Sequence, residues 1–282
     1  MRASPPRLID SHCHLQADRF AGDIELVLGG ARLAGVERIL VPGWDPSSCR
    51  KAIDLVDRFP WLDASVGVHP HDAANIDDEA WRELASLAID ARVVAIGETG
   101  LDYDRLYAPV LAQLANLRRN LRLAAETGKP AILHCRSTEG EREAQDALLA
   151  ELRAFGAQPP RVVIHSFSGP LDYAEAMLGL GAAISFSGLV FRRGEEASAD
   201  VARLVPADRV LVETDSPFLS PPGAPRARNE PEWVAVTARW LADRRGIPVD
   251  ALGERLVETY DAVFPSSRRA AVIGATGRQV PP

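Results

Sequence analysis

Two histidines two residues apart, His12 and His14, lie within the first apolar stretch of the chain, Ile9–Leu15. Alternate side chains of an extended strand point to the same side, so both imidazoles face one centre while Cys13 faces away. Neutral imidazole is a common metal ligand, and two imidazoles on a rigid strand lose little entropy when an ion binds. The pair indicates a metal site, although two ordinary polar residues at a strand end explain a lone His-x-His equally well.

The other four histidines and two acidic residues also lie where short apolar runs end. His69 and His71 follow the third run. Single polar residues end the fourth, fifth, sixth and eighth runs, namely Glu98, His134, His165 and Asp215. Chance is a poor explanation for so many potential metal ligands at matched positions. Whether these residues form one site depends on how the elements that carry them fold.

The apolar runs are short and mostly apolar throughout, as strands buried on both faces are in parallel sheets. There are eight: Leu8–Ser11, Arg38–Val41, Ala64–Val68, Val93–Gly97, Ala131–His134, Val162–His165, Ala182–Ser185 and Val210–Glu213. Amphipathic segments predicted as helices alternate with them: Ile24–Leu33, Ser48–Arg58, Asp77–Ala88, Pro109–Thr127, Glu143–Phe155 and Leu171–Leu180. Eight βαβ units predict an α/β fold, a single TIM-type (β/α)8 barrel whose strand ends open onto one active face.

Two C-terminal helices, near Glu230–Arg245 and Val249–Val263, are predicted after the eighth strand. The barrel domain is predicted to span residues 7–264. Residues 265–282 form a tail rich in Ser, Arg, Gly and Pro without a core pattern, so we expect this tail to be poorly ordered.

Composition limits the classes of function. The chain has 282 residues, of which 46% are hydrophobic and 25% charged, as in ordinary globular proteins. Its formal net charge of -7 argues against a broad basic surface that coats duplex DNA. Its three cysteines, Cys13, Cys49 and Cys135, form no C-x-x-C pair, which favours a reducing cytoplasm. No secretion signal or long apolar run is present, so we expect no membrane association, and a monomer is favoured.

Four histidines and two carboxylates exceed what one tetrahedral ion needs, which indicates two divalent ions that share a ligand. Glu98 is the expected bridge, because the fourth strand lies between the first and the fifth and sixth. One ion would bind His12, His14, Glu98 and Asp215, and the other Glu98, His134 and His165. Mg, Mn and Zn all suit mixed imidazole and carboxylate ligands.

Such a pair of ions carries more positive charge than its two carboxylates neutralise, so it attracts a phosphodiester. Two ions about 4 Å apart lower the pKa of a shared water and stabilise both oxygens of an in-line displacement. Asp215 could serve both as a ligand and as the acceptor of the water's proton. The chemistry expected is hydrolysis without a protein nucleophile.

Seven stretches in order resemble the TatD family of metal-dependent deoxyribonucleases. They are Ile9–Leu15, Val66–Pro70, Ile96–Asp102, His134–Arg136, His165–Gly169, Val212–Phe218 and Arg228–Pro231. The resemblance implies a barrel hydrolase with two divalent ions that acts on DNA, often single-stranded, as an exonuclease or endonuclease. The six residues that it implies as metal ligands are His12, His14, Glu98, His134, His165 and Asp215. The resemblance places His69 near the phosphate, and Glu98, Asp215 and His69 are the expected catalytic residues.

The chain departs from the family pattern at a few positions that are not ligands. Leu117 and Asn120 replace an aromatic residue and a glutamine in the helix before the fifth strand, while Gln113 is retained. Ser137 replaces an acidic residue, and a late stretch reads Thr259, Asp261 and Phe264. These changes bear on substrate preference rather than on catalysis.

Other residues have both a functional and a structural interpretation. Arg136 shares the side of His134 and would either bind a phosphate or orient Glu98. Glu213 is expected to be the buried hydrogen-bond partner of a ligating histidine, and Asp102 is expected to form a turn. The remaining candidates are exposed arginines that could follow a nucleic-acid backbone, aromatic residues that could stack or pack, and one loop histidine: Arg192, Arg193, Arg226, Arg228, Trp44, Phe191 and His71.

The leading hypothesis is a deoxyribonuclease, preferably an exonuclease that binds single-stranded DNA locally at the barrel mouth. The alternative is a carbonyl hydrolase with the same binuclear site, such as a D-aminoacyl-tRNA deacylase, whose partner would be tRNA. Many bimetallic amidohydrolases bridge their ions through a lysine on the fifth strand. This chain has no lysine on that strand, and the nearest one, Lys129, precedes it, before Pro130. A binding protein with a decayed site would lack ligands, and none is missing.

Overall fold

The computed structural model describes residues 4–156 and 159–266. Across these residues eight strands form one parallel sheet in sequence order. They are β1 (Leu8–Asp10), β2 (Val36–Pro42), β3 (Leu62–Val66), β4 (Val93–Asp102), β5 (Ala131–Arg136), β6 (Val162–Ile164), β7 (Ala183–Phe186) and β8 (Val210–Val212). The predicted (β/α)8 barrel is confirmed.

Nine α-helices surround the strands in the described part of the chain. They are α1 (Ile24–Leu33), α2 (Pro46–Arg58), α3 (Asp78–Ala88), α4 (Val110–Thr127), α5 (Glu143–Ala154), α6 (Leu171–Gly179), α7 (Ser198–Leu204), α8 (Val234–Arg245) and α9 (Val249–Val263). The sequence did not predict α7, because its 7 residues are too few to show a helical period. The bounds 7–264 of the domain stay a prediction, and the expected disorder of the tail falls almost wholly outside the described residues.

The seam between β8 and β1 closes the barrel just below the predicted site. The N–H of Asp215 donates to the carbonyl of His12 at 2.9 Å, and the N–H of His14 donates to the carbonyl of Ser216 at 2.8 Å. The buried carboxylate of Asp10 adds side-chain bonds across the seam, since it accepts from the N–H of Thr214 at 2.9 Å and from its hydroxyl at 2.6 Å. These bonds fix the two segments that carry His12, His14 and Asp215.

Two glycines let β4 approach its neighbours. Gly97 has a φ of +128°, and a Cβ on it would lie 2.5 Å from the carbonyl oxygen of Ile132 in β5. Gly100 has a φ of +140°, and a Cβ there would overlap the carbonyl of His134. Only glycine fits such backbone. The close approach of β4 to β5 brings Glu98 beside His134.

In the described residues, no helix is both long enough and apolar enough to cross a membrane.

Candidate metal centre

The six predicted metal ligands converge at the C-terminal ends of the barrel strands. His12 and His14 follow β1, and their Nε2 atoms lie 3.3 Å apart. Glu98 lies within β4 and His134 within β5, whereas His165 comes directly after β6 and Asp215 is the third residue after β8. Groups far apart in the chain therefore share one pocket, as the barrel topology predicts.

The carboxylate of Glu98 lies at the middle of this cluster and faces a different set of imidazoles with each oxygen. Its Oε2 lies 3.2 Å from Nε2 of His12 and 3.6 Å from Nε2 of His14. Its Oε1 lies 2.8 Å from Nε2 of His165 and 3.1 Å from Nδ1 of His134. This is the arrangement that a bridging carboxylate needs.

Asp215 belongs to the side of the cluster with His12 and His14. Its Oδ1 lies 3.4 Å from Nε2 of His14 and 3.8 Å from Nε2 of His12. The residue has a φ of +54°, an unusual conformation for a non-glycine residue that costs about 1 kcal/mol or more. Its side chain is 15% exposed, so the carboxylate reaches the mouth of the pocket.

The donor set fits cations. Two pairs of ring nitrogens face each other at 3.3 Å, His12 with His14 and His134 with His165, and each pair also faces Glu98. Protons cannot satisfy all of these contacts at once, whereas an ion between the lone pairs can. Three overlapping groups have ligand atoms within 4.8 Å of one another: His12, His14 and Glu98; His12, His165 and Asp215; and His69, Glu98 and His134.

The electrostatics favour ligand forms at several of these positions. Burial raises the pKa of Glu98, but the surrounding histidines, His165 above all, outweigh burial and hold the pKa well below its ordinary value. Burial lowers the pKa of His12 and brings that of His69 to about 4. Glu98 is therefore ionised near neutral pH, and both His12 and His69 are neutral; for His12 this is the form of imidazole that binds metal.

His69 is oriented by its own loop. Its Nδ1 accepts the backbone N–H of His71 at 3.1 Å, so the neutral ring carries its proton on Nε2. That Nε2 lies 3.4 Å from Oε1 of Glu98 and points into the pocket. In this tautomer, assigned from the hydrogen bonds, His69 offers a donor rather than a lone pair.

Two acidic residues beneath the cluster contact three more imidazoles. Glu213 is fully buried, and its Oε1 lies 3.2 Å from Nδ1 of His165, which leaves Nε2 free to face the pocket. Asp102 lies 3.4 Å from Nε2 of His134 and 2.8 Å from Nε2 of His71. The expectation that His71 is loop surface was wrong, because its half-buried ring contacts a buried carboxylate.

Of the candidate arginines, two form ion pairs with acidic residues and three are exposed. Arg136 pairs with Asp104 at 2.8 Å instead of orienting Glu98. Arg228 is bound by Asp23 at 2.7 Å and by Glu230 at 2.7 Å, so its role is structural. Arg192, Arg193 and Arg226 are exposed and form no ion pair with the residues that the structure describes.

Aromatic side chains line the pocket entrance. Trp44 packs edge-on against His14 at 5.4 Å, and Phe191 is half-buried against Trp240 at 6.4 Å. Phe218, which the sequence did not single out, is 54% exposed, and its ring centroid lies 6.1 Å from that of His14. Its place three residues after Asp215 was the signal that could have identified it.

A family model described as TatD related DNase matches residues 9–265. The chain belongs to the TatD-related DNase family. YabD of Bacillus subtilis, named an uncharacterized metal-dependent hydrolase, is 31% identical over 257 residues, which are 91% of this chain and 98% of YabD. A protein of Erwinia billingiae named 3'-5' ssDNA/RNA exonuclease TatD is 36% identical over 255 residues, which are 88% of this chain and 95% of that protein.

Solved structures agree with this assignment. The crystal structure of the TatD homologue YjjV from Escherichia coli is 31% identical, covers 92% of this chain and 98% of its own, and superposes with a TM-score of 0.83. A TatD-family hydrolase from Entamoeba histolytica, at 22% identity and a TM-score of 0.83, shares the fold. This TatD-family chain is accordingly a TatD-type hydrolase with a histidine and carboxylate cluster able to bind metal.

Proposed function

We propose that this TatD-family enzyme is a deoxyribonuclease that removes nucleotides from single-stranded DNA in the 3′ to 5′ direction with two divalent ions. The observation that carries the proposal is the carboxylate of Glu98, whose two oxygens face two separate sets of imidazoles at 2.8 to 3.6 Å. The direction and the single-stranded preference rest on relatives such as the Erwinia exonuclease.

The ligand sets of the proposal follow from these distances. His12, His14 and Asp215 would hold one ion and His134 and His165 the other, with Glu98 between them. When bound, Mg, Mn or Zn would polarise the phosphate and lower the pKa of an attacking water.

The side chains around the ions divide the remaining work. Asp215 is placed to accept the proton of the attacking water, because its carboxylate is ionised and reaches the mouth of the pocket. The Nε2–H of His69 is placed to donate to a phosphate oxygen as charge develops on it. Arg136 already forms an ion pair with Asp104. Its guanidinium would bind a phosphate only after this ion pair breaks.

Lys129 bears on the alternative, a deacylase or another carbonyl hydrolase. Its Nζ donates to the carbonyls of Ala88 at 2.5 Å and Asp90 at 3.0 Å, at the end of the barrel opposite the cluster. It cannot bridge ions in the manner of a lysine-bridged amidohydrolase. Phosphodiester hydrolysis therefore remains the proposal, and D-aminoacyl-tRNA serves as the competing substrate in its test. We further propose a cytoplasmic location, which the free thiols of Cys13, Cys49 and Cys135 support, and a monomeric protein.

The test is cleavage by the pure protein of single-stranded DNA labelled at either end, beside a D-aminoacyl-tRNA, with Mg, Mn, Zn or chelator. We expect metal-dependent shortening from the 3′ end, abolished by chelator. Glu98→Gln should lower the rate at least about 1,000-fold and lose bound metal, because it removes the only charge shared by both ligand sets. Glu175→Gln on the exposed face of α6 is the matched control. Cleavage that survives chelator, or deacylation without DNA cleavage, would refute the proposal.

A further inference from the structure

A groove of about 730 Å³ lies beside the metal centre, within the size range of ligand sites. One wall is formed by Phe191, the last residue of the turn Gly188–Phe191 after β7, and by Arg192, and the other wall is the loop of residues 217–227 after β8. We call it the β8 groove. Its lining combines three arginines and an exposed phenyl ring with prolines and small residues.

The β8 groove begins at the metal centre. The N–H of Phe218 donates to the carbonyl of Asp215 at 2.8 Å, and the Phe218 ring lies edge-on to the ring of His14. More than half of the surface of Phe218 is exposed, so its ring is open to a ligand. An exposed aromatic ring beside a nuclease centre suits stacking of a base, worth about 1–3 kcal/mol.

Free positive charge is concentrated on the same side of the centre. Arg192 and Arg226 line the β8 groove and form no ion pair with the described residues, in a chain whose net charge is -7. On the opposite side, near β5, the cation of Arg136 already pairs with Asp104. A phosphate backbone that leaves the centre on the β8 side therefore meets two guanidinium groups that have no ion-pair partner among the described residues.

The walls of the groove are held in place before any ligand arrives. Asn229 is fully buried and donates from Nδ2 to the carbonyls of Thr214 at 3.0 Å and Phe218 at 2.7 Å. Arg19 donates to the carbonyl of Ala227, so this third arginine of the lining supports the loop. A preorganised wall reduces the entropy that binding would otherwise cost.

We propose that the β8 groove binds the part of a single-stranded polynucleotide next to the scissile phosphate. Phe218 stacks on a base, and Arg192 and Arg226 hold backbone phosphates. Because the ring can stack only on a base that is free of its duplex neighbours, the groove selects unpaired strands. This inference rests on the proposed nuclease function and assigns the substrate subsite of that function.

The first test compares two substrates of the metal-loaded enzyme, a short oligothymidylate and the small diester bis(p-nitrophenyl) phosphate, which has no second backbone phosphate to contact Arg192 or Arg226. For Phe218→Ala and for the double variant Arg192→Ala/Arg226→Ala, the ratio of kcat/KM on the oligonucleotide to that on the diester should fall about 10-fold, mainly through KM. Phe218→Trp should restore the ratio, because the ring face is kept.

The second test reads binding without cleavage. Fluorescence anisotropy of a labelled oligothymidylate in chelator should show weaker binding by both variants. For the double variant, the slope of log K against log salt should fall by about 1.4, since each phosphate contact contributes about 0.7. Arg153→Ala, an exposed and unpaired arginine on α5 among the described residues, is the control and should leave both readouts unchanged.

Two results would overturn the inference: oligonucleotide binding unchanged in both variants, or losses equal on the two substrates. Failure of the nuclease function itself is distinct. A wild-type protein that cleaves neither substrate but binds the strand through Phe218 and the two arginines would refute the function and leave the groove assignment standing.

Discussion

At the scale of single residues, the metal centre depends on which nitrogen of each histidine faces the pocket. Buried acids and backbone groups set this choice, and most of them are distant in sequence. Glu213 fixes His165, and the N–H of His71 fixes His69. The sequence placed the histidines correctly at strand ends because parallel strands share one active face. It could not show that Asp102 would meet His71, because the loop after β3 decides that contact.

Glu213 offers a direct test of this positioning. It accepts from Nδ1 of His165 and also from the hydroxyls of Ser11 and Ser185. Glu213→Gln keeps an acceptor for the ring but removes the charge, so we expect metal to bind about 10-fold more weakly. Glu213→Ala leaves the ring without an orienting partner, and we expect a loss of about 100-fold.

The measurement for Glu213 is metal affinity by calorimetry together with the rate at saturating metal. A positioning role predicts that excess metal restores most of the rate in Glu213→Gln. Equal metal affinity in the wild type and both variants would contradict the role.

At the scale of elements, apolar runs identified all eight strands, but their ends were less certain. The fourth strand was expected over Val93–Gly97 and in fact continues to Asp102. Gly97 and Gly100 are poor strand formers by propensity, and only the close contact with β5 shows why they lie in this strand. The helix α7 was not predicted, because a helix of only 7 residues has too little periodicity to detect.

Gly97→Ala should be strongly destabilising. The new Cβ would lie 2.5 Å from the carbonyl oxygen of Ile132, on backbone with a φ of +128°. We expect a loss of about 3 kcal/mol in the free energy of unfolding, measured by urea denaturation. Gly29→Ala is the control, because nothing lies within 4 Å of its added methyl in the middle of α1 and alanine favours a helix by about 0.5–1 kcal/mol. Similar effects from the two variants would exclude this account of β4.

The connection from α3 to β4 contains an ion pair that predicts a pH dependence. Arg92 donates to both carboxylate oxygens of Asp90 and lowers the pKa of Asp90 to about 2. Because the pKa is lowered on folding, the stabilisation is present above the unfolded pKa of 3.8 and is lost as the pH falls through about 2. After allowance for solvent screening, we expect Asp90→Asn to cost about 1 kcal/mol near pH 6.

That cost should shrink steadily below about pH 4, as measured by urea denaturation of the wild type and Asp90→Asn across the acid range. Glu175→Gln should show a difference that does not vary with pH. A constant difference for Asp90→Asn would show that the pair with Arg92 does not stabilise the fold.

At the scale of the whole molecule, the stability of the barrel depends on the seam between its last and first strands, β8 and β1, and the segments that follow these two strands carry half of the proposed ligands. Thr214 bridges this seam: its hydroxyl donates to Asp10 at 2.6 Å and accepts the N–H of Ser216 at 3.1 Å. Thr214→Val conserves shape but removes the hydroxyl partner of Asp10 Oδ2 and of the Ser216 N–H, both of which are buried, so we expect the free energy of unfolding to fall by about 2 kcal/mol.

Thr214→Ser retains the hydroxyl and separates hydrogen bonding from packing. If the seam works through these bonds, Thr214→Ser should recover most of the stability that Thr214→Val loses, with the denaturant midpoint shifted and the m value unchanged. Metal affinity should follow the same order, because the segment of His12 and His14 is held by backbone bonds to Asp215 and Ser216, which directly follow Thr214. A valine variant as stable as the serine variant would mean that the remaining backbone bonds of the seam suffice to keep the two halves of the centre together.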